Sequence, residues 1–119
     1  MDAYLAEPRN EEEFDMLYNF ARKSGWYTFW LGATYSANEG TWVWQSDGQV
    51  LSYDKWHPAA TQGDGDCSYM YTRDRVWGYM DCDRWAYIIC EKEIEGNIHG
   101  CVCVDRLKSS FSNIKYTFQ

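Results

Sequence analysis

Few residues in this chain could carry out covalent chemistry, and their arrangement argues against an enzyme. The two histidines, His57 and His99, lie far apart on different segments. The sequence contains no His-Glu-x-x-His, Gly-x-Ser-x-Gly or Gly-x-x-x-x-Gly-Lys motif, so zinc proteases, serine hydrolases and nucleotide-binding loops find no support. His99, Cys101 and Cys103 lie close in sequence, but a fourth zinc ligand is not evident. We therefore predict a protein that is not an enzyme.

Cysteines and carboxylates are the other reactive groups. The number of cysteines bears on disulfide pairing, and the net charge bears on the class of partner. There are five cysteines, an odd number that leaves at least one thiol without an internal partner. The net charge is −7, which makes nucleic acid a poor partner. No run of 18 apolar residues exists, so we expect no membrane span, and the first residues do not resemble a signal peptide.

One amphipathic helix is expected near the start of the chain, over residues 10–25. Asn10 can cap its first turn, and Glu13, three residues later, completes a capping box. Gly25 can end the helix. Apolar residues then recur at the spacing of one buried helix face, at Phe14, Leu17, Tyr18 and Ala21.

After the helix, the pattern changes to short stretches of β-forming residues separated by turns. A long loop-like segment, residues 56–66, interrupts them. A helix followed by strands predicts an α+β fold. The strand candidates are residues 26–32, 41–44, 67–71, 76–77 and 86–90.

The last part of the chain differs in charge from the rest. Residues 1–91 contain 7 basic and 15 acidic side chains, a net of −8, whereas residues 92–119 contain 4 and 3, a net of +1. Gly96, Asn97 and Gly100 predict a linker. We therefore interpret residues 92–119 as a C-terminal tail on a domain formed by residues 1–91.

Over about residues 3–91 the order and spacing of several motifs resemble those of a C-type lectin domain. As a combined signature the resemblance is specific, although any one motif would be weak. It implies a C-type lectin-like fold with small antiparallel sheets, one remaining helix and a long binding loop. The motifs are Trp30-Leu31-Gly32, Glu39-Gly40-Thr41-Trp42-Val43-Trp44, Ser46-Asp47-Gly48, Trp56, Pro58, Asp66-Cys67, Trp77, Cys82 and Ile89-Cys90-Glu91.

The resemblance also implies two disulfides. The inner one would join Cys67 to Cys82. The outer one would join Cys90 to a cysteine on a first helix that this chain does not contain, so we expect the domain to lack its first strand and first helix. An alternative is that Cys90 pairs with Cys101 or Cys103.

Calcium-dependent sugar binding in this family uses residues with oxygen ligands at three places in the sequence. In this chain, residues without those ligands stand at all three places. The first place is an acid or amide, then Pro, then Asn or Asp; here it is His57-Pro58-Ala59. The second, two residues before Cys67, is Gly65, and the third, Trp-Asn-Asp in the family, is Trp77-Gly78-Tyr79. We therefore expect no calcium at the sugar site, because calcium requires 6–8 oxygen ligands.

The remaining loop residues are the candidates for recognition. We predict that Trp56 and Tyr79 form an exposed patch beside His57 that can stack on a sugar or anchor a protein. Asp64 and Asp66 are further candidates, and with Glu39 they could form a weak auxiliary calcium site. The alternative is that these three acids are solvated turn and loop residues. The segment 73–75 is expected to be a solvated hairpin tip.

Three hypotheses of function follow from these residues. The first is a secreted, extracellular lectin module that binds a glycan without the usual calcium site. The second is a protein-binding module of the same fold that has lost sugar binding, in a matrix or defence setting. The third is a fragment without independent function.

Overall fold

The computed structural model describes residues 2–59, 65–94, 97–108 and 116–117, and side chains within residues 5–59 and 65–89. One helix, α1, spans Glu11–Arg22. The described strands are β1 (Asp2–Leu5), β2 (Thr28–Ser36), β3 (Thr41–Trp44), β4 (Cys67–Tyr71), β5 (Val76–Met80), β6 (Trp85–Ile94), β7 (Asn97–Lys108) and β8 (Tyr116–Thr117).

These strands form one mixed sheet in the order β5-β4-β2-β6-β1-β8, with β3 paired to β2 and β7 paired to β6. The strand pairs are antiparallel except β2 with β6, which run parallel with Phe29 opposite Tyr87. One helix and a mainly antiparallel sheet confirm the predicted α+β fold, although the strand β1 precedes the helix. No helix among the described residues is both long and apolar enough to cross a membrane.

Helix α1 begins as its sequence predicts. Asn10 Oδ1 accepts a hydrogen bond from Glu13 N at 2.8 Å. Glu13 Oε2 accepts from Arg9 N at 2.9 Å rather than from Asn10, so the reciprocal bond of the capping box is moved by one residue. Both bonds satisfy backbone donors at the entry to the helix and so fix its first turn.

The first strand after the helix starts later than predicted. Trp26 and Tyr27 lie outside β2 and are 49% and 58% exposed, although the sequence pattern placed them in a buried strand. The strand instead starts at Thr28 and continues past Gly32 to Ser36. The predicted strand at residues 41–44 is confirmed as β3, and the one at residues 67–71 as β4.

Two hydrophobic clusters lie on opposite faces of the sheet. The larger cluster packs α1, through Phe14 and Leu17, against strands β2, β4 and β5. Its central side chain is Trp77, which is fully buried. The smaller cluster contains Leu5, Trp30, Cys67, Ala86 and Ile88.

A disulfide joins Cys67 to Cys82, with the two Cα atoms 5.2 Å apart. This confirms the predicted inner disulfide, which ties the start of β4 to the turn after β5. Cys90 is the register partner of Cys101 on β7. The side chains of both residues lie outside the described ones, so the partner of Cys90 stays a prediction.

The segment after residue 91 continues the sheet. Strand β6 extends to Ile94 and pairs with β7, which includes Asn97 and Gly100. The linker predicted at these two residues is therefore wrong, because a ladder of strand pairs replaces it. Gly96 lies outside the described residues, and the division into a domain and a tail stays a prediction.

Candidate functional site

The long loop reaches the edge of the sheet at β5 through backbone hydrogen bonds. His57 N donates to Trp77 O at 2.8 Å, and Trp77 N donates to Lys55 O at 2.8 Å. Trp56 and Trp77 are thereby paired in a short parallel bridge. The loop residues 57–59 and the strand residues 77–79 are consequently held side by side, as the two halves of one site.

An open groove of about 280 Å³ lies where these two segments meet. This volume is just below the range of small-molecule sites, which is about 300–1,000 Å³. The groove is therefore suited to a small ligand that is only partly enclosed. Its lining residues are His57, Ala59, Tyr69, Tyr71, Asp74, Val76, Trp77, Gly78 and Tyr79.

Two tyrosines of β4 form one wall of the groove. Tyr69 and Tyr71 are two residues apart on the strand, so both side chains project from the same face of the sheet. Tyr69 is opposite Gly78 on β5, and Tyr71 is opposite Val76. A Cβ atom added at Gly78 would lie 2.5 Å from Cζ and Oη of Tyr69, so the ring takes the space of a side chain there.

His57 also lines the groove and is held by its own loop. Its Nδ1 accepts a hydrogen bond from Ala59 N at 2.9 Å. In the neutral imidazole this bond puts the proton on Nε2, which is then the donor of the ring. Polar atoms of the loop thus accompany the aromatic wall of β4.

A cluster of large rings is continuous with the groove through Trp77 and Tyr79, which line it. Tyr79 lies 5.3 Å from Trp42 and 5.9 Å from Trp56, measured between ring centroids. Trp56 also packs edge-on against Trp77 at 5.7 Å. Trp56 and Tyr79 are therefore half-buried rather than exposed as predicted, since their rings extend the core to the surface.

A network of charged side chains links the β4–β5 hairpin and the long loop to the first turn of α1. Arg75 packs its guanidinium 5.5 Å above the ring of Phe14 and forms an ion pair with Glu11, 3.7 Å away. Tyr53 and Lys55, just before the long loop, also contact the Glu11 carboxylate. The hairpin β4–β5 and the long loop are thereby linked to the same helix turn.

Arg75 lies in the exposed hairpin tip that the sequence predicted, and it also contacts α1, which the sequence did not predict. Its side chain is 43% exposed, and its backbone adopts a positive φ of 55° that residues with a side chain rarely use. Arg73 and Asp74 are exposed, as expected for a tip. The sequence pattern missed the contact because Phe14 and Glu11 lie sixty residues away from Arg75 in the chain.

This network also shifts two ionisation equilibria. The hydrogen bond from Tyr53, followed by the bond from Lys55, lowers the pKa of the Glu11 carboxyl group. Burial, followed by the bond to Glu11, raises the pKa of the Tyr53 hydroxyl group. Glu11 is therefore ionised and Tyr53 neutral near pH 7, the charge states that the network requires.

The predicted recognition residues are only partly brought together. His57 and Tyr79 line the groove, whereas Trp56 does not line it and packs against Trp42 and Tyr79. Asp66 is exposed, and its carbonyl oxygen accepts from Tyr35 N at 2.9 Å. Asp64 lies outside the described residues. Among the residues that the structure describes, no group of three or more His, Cys, Asp or Glu side chains could hold a metal.

Sequence reasoning missed three residues of the groove, Tyr69, Tyr71 and Asp74. The alternation of Tyr69 and Tyr71 along a predicted strand could have shown that they share a face. The pairing of Gly78 with Tyr69 depends on the strand register, which the sequence pattern does not show.

A sequence profile of the "Lectin C-type domain" matches residues 1–92. The chain is 27% identical over 104 residues to C-type lectin mosGCTL-7 from Aedes aegypti, covering 77% of this chain and 69% of that protein. It is 26% identical over 99 residues to perlucin from Haliotis laevigata, covering 78% and 63%. For collectin-10 from Mus musculus, 27% identical over 90 residues, the shares are 73% and 32%. The chain thus spans between one third and about two thirds of the length of these curated relatives.

Solved structures show the same fold. The carbohydrate-recognition domain of human scavenger receptor C-type lectin has a TM-score of 0.66 and 24% identity, over 77% of this chain and 74% of that chain. The mouse domain of the same name has a TM-score of 0.62 and 28% identity, over 78% and 74%. Human lithostathine has a TM-score of 0.65 and 20% identity, over 74% and 71%.

Proposed function

Because this chain belongs to the lectin C-type domain family, we propose that it is a non-catalytic, extracellular recognition module that binds carbohydrate in the groove between the long loop and β5. One observation carries the proposal: the lining of the groove includes His57 and Ala59 of the long loop together with Trp77, Gly78 and Tyr79 of β5. These are the two segments to which the family resemblance assigns sugar binding. The tyrosine wall supports it further, since an aromatic face can stack on the apolar face of a sugar ring.

In this proposal the sugar binds without a calcium ion at the groove. The limited space around Gly65 and Gly78 supports binding without calcium. A Cβ atom at Gly65 would lie 2.1 Å from the carbonyl carbon of Met80, and one at Gly78 would lie 2.5 Å from Tyr69. An acidic or amide side chain at position 65 would therefore collide with the backbone of Met80 and Asp81, and one at position 78 would fit only if the Tyr69 ring moved, although the family uses both positions to hold calcium.

The chemistry of the donors at the groove supports the same conclusion. His57 offers nitrogen rather than oxygen, and its Nδ1 already accepts the Ala59 N–H. Ala59 has no side-chain ligand, and the ring of Tyr79 is packed against Trp42. Calcium prefers 6–8 oxygen atoms, so the residues present are a poor ligand set for it.

A second candidate function is the binding of an extracellular protein. It is favoured by three large aromatic side chains that are about half exposed: Trp26 at 49%, Tyr27 at 58% and Trp85 at 51%. Exposed aromatic side chains are frequent anchors of protein interfaces. These residues do not line the groove, but Tyr27 contacts the groove residue Tyr71, with ring centroids 6.3 Å apart, so the two surfaces adjoin.

A glycan array, probed with the labelled protein with and without a chelator, tests the proposal. We expect a signal that the chelator leaves unchanged, and that Tyr71→Ala removes because it opens the aromatic wall. Tyr35→Ala is the matched control, because Tyr35 is 43% exposed and does not line the groove. A calcium-dependent lectin on the same array verifies that the chelator acts.

Each other outcome contradicts a defined part of the proposal. A signal that disappears with the chelator contradicts binding without calcium. Silence across all glycans by a folded protein contradicts carbohydrate binding and favours the protein-binding function. Equal loss of signal in both tyrosine variants contradicts the assignment to this groove.

A further inference from the structure

The charges along the groove are unbalanced. Asp74, in the turn between β4 and β5, is the one carboxylate among the lining residues that the structure describes, and no lysine or arginine is among them. The Nδ1 atom of His57 accepts the Ala59 N–H. Of the two arginines that flank Asp74 in the turn, Arg75 is already paired with Asp15 and Glu11.

The aromatic wall of the groove, like the Asp74 carboxylate, favours a positively charged ligand. Tyr69 and Tyr71 lie on one face of β4, and Asp74 follows them after the end of the strand. Because Gly78 has no side chain, the Tyr69 ring is not covered by its partner on β5. Aromatic rings have a negative face that attracts organic cations, so the wall and Asp74 both favour a positively charged group.

We propose that the groove selects sugars with an unsubstituted, protonated amino group, that is, residues of 2-amino-2-deoxy glycans. This inference rests on the proposed carbohydrate binding and names the class of its ligand. The sugar ring lies against the tyrosine wall, and its ammonium group pairs with the Asp74 carboxylate. N-acetylation of the sugar removes the positive charge, and with it both the ion pair and the attraction to the rings.

The experiment is a calorimetric titration with two disaccharides that differ in one group: one has a free amino group and the other is N-acetylated. We expect the amino sugar to bind on the order of tenfold more tightly, the size of one charge-assisted hydrogen bond in a half-open site. Asp74→Asn is expected to remove most of this difference while the weaker binding of the N-acetylated sugar persists.

Asp83→Asn is the matched control. Asp83 is exposed and does not line the groove, and the change alters the net charge by the same amount. It is expected to keep the preference for the amino sugar. If Asp83→Asn weakens the preference as much as Asp74→Asn, general attraction to an acidic protein explains the result and the inference is wrong.

The remaining outcomes separate this inference from the proposed function. Equal affinity for the two disaccharides overturns the amino-sugar inference while carbohydrate binding stands. Binding of other glycans but of neither disaccharide has the same consequence. If the folded protein binds no glycan at all, the inference fails together with the function on which it rests.

Discussion

Replacement of Trp77 by alanine is expected to cause the largest loss of stability of any change considered, about 3–5 kcal/mol. Trp77 is fully buried and is the ring on which the core converges. Phe14, Trp44, Tyr53 and Trp56 all meet it nearly edge-on, with centroid distances of 5.7–6.1 Å. Removing the indole takes away these contacts and leaves a cavity between α1 and the sheet.

Urea unfolding, followed by tryptophan fluorescence and circular dichroism, measures this loss. Trp85→Ala is the matched control, because it is the same chemical change at a side chain that is 51% exposed. We expect it to cost less than about 1.5 kcal/mol, since less surface returns to water. A Trp77→Ala protein as stable as the Trp85→Ala protein would contradict the central position given to Trp77. A cooperative transition of the unchanged protein would also argue against a fragment without independent structure.

Gly32→Ala is expected to destabilise the protein by about 3 kcal/mol, because it displaces a buried carboxylate. A Cβ atom at position 32 would lie 2.6 Å from Cγ of Glu7 and 2.8 Å from its Oε2. Glu7 is only 6% exposed, and its carboxylate accepts hydrogen bonds from Ser46 Oγ at 2.6 Å and Arg9 at 2.8 Å. An alanine at position 32 pushes the carboxylate away from these donors.

A double-mutant cycle in the same unfolding assay distinguishes this explanation from a general effect of the substitution. Glu7→Ala alone removes the hydrogen bonds and also empties the space beside Gly32. Adding Gly32→Ala to Glu7→Ala is therefore expected to cost less than about 1 kcal/mol, so the two changes are strongly non-additive. If the two losses simply add, the close approach of Gly32 and Glu7 is not what requires glycine at this position.

Sequence patterns predicted the features that depend on neighbouring residues. The helix was predictable because Asn10 caps it and Phe14 and Leu17 repeat at the helical period. Strands β3 and β4 were predictable because β-forming residues fill them between turns. The pairing of Cys67 with Cys82 came from the family resemblance, since the number of cysteines alone leaves several pairings open.

The features that were missed depend on residues that are distant in sequence. Nothing near Arg75 shows that it packs on α1, and nothing near Gly32 shows that Glu7 is beside it. The same holds for the groove, where His57 and Tyr79 were predicted but Tyr69 and Asp74 were not. Contacts of this kind are set by strand register and by the path of the loop, which local propensity does not encode.

The most direct test of recognition without calcium at the groove is a calorimetric titration of the folded protein with calcium, with and without a saturating glycan from the array. When a sugar completes the shell of a bound calcium ion, each ligand strengthens the binding of the other by the same factor. We predict that the glycan leaves the calcium affinity unchanged, including any weak affinity from exposed acids such as Glu39 and Asp66. An increase in calcium affinity of tenfold or more in the presence of the glycan would contradict the account.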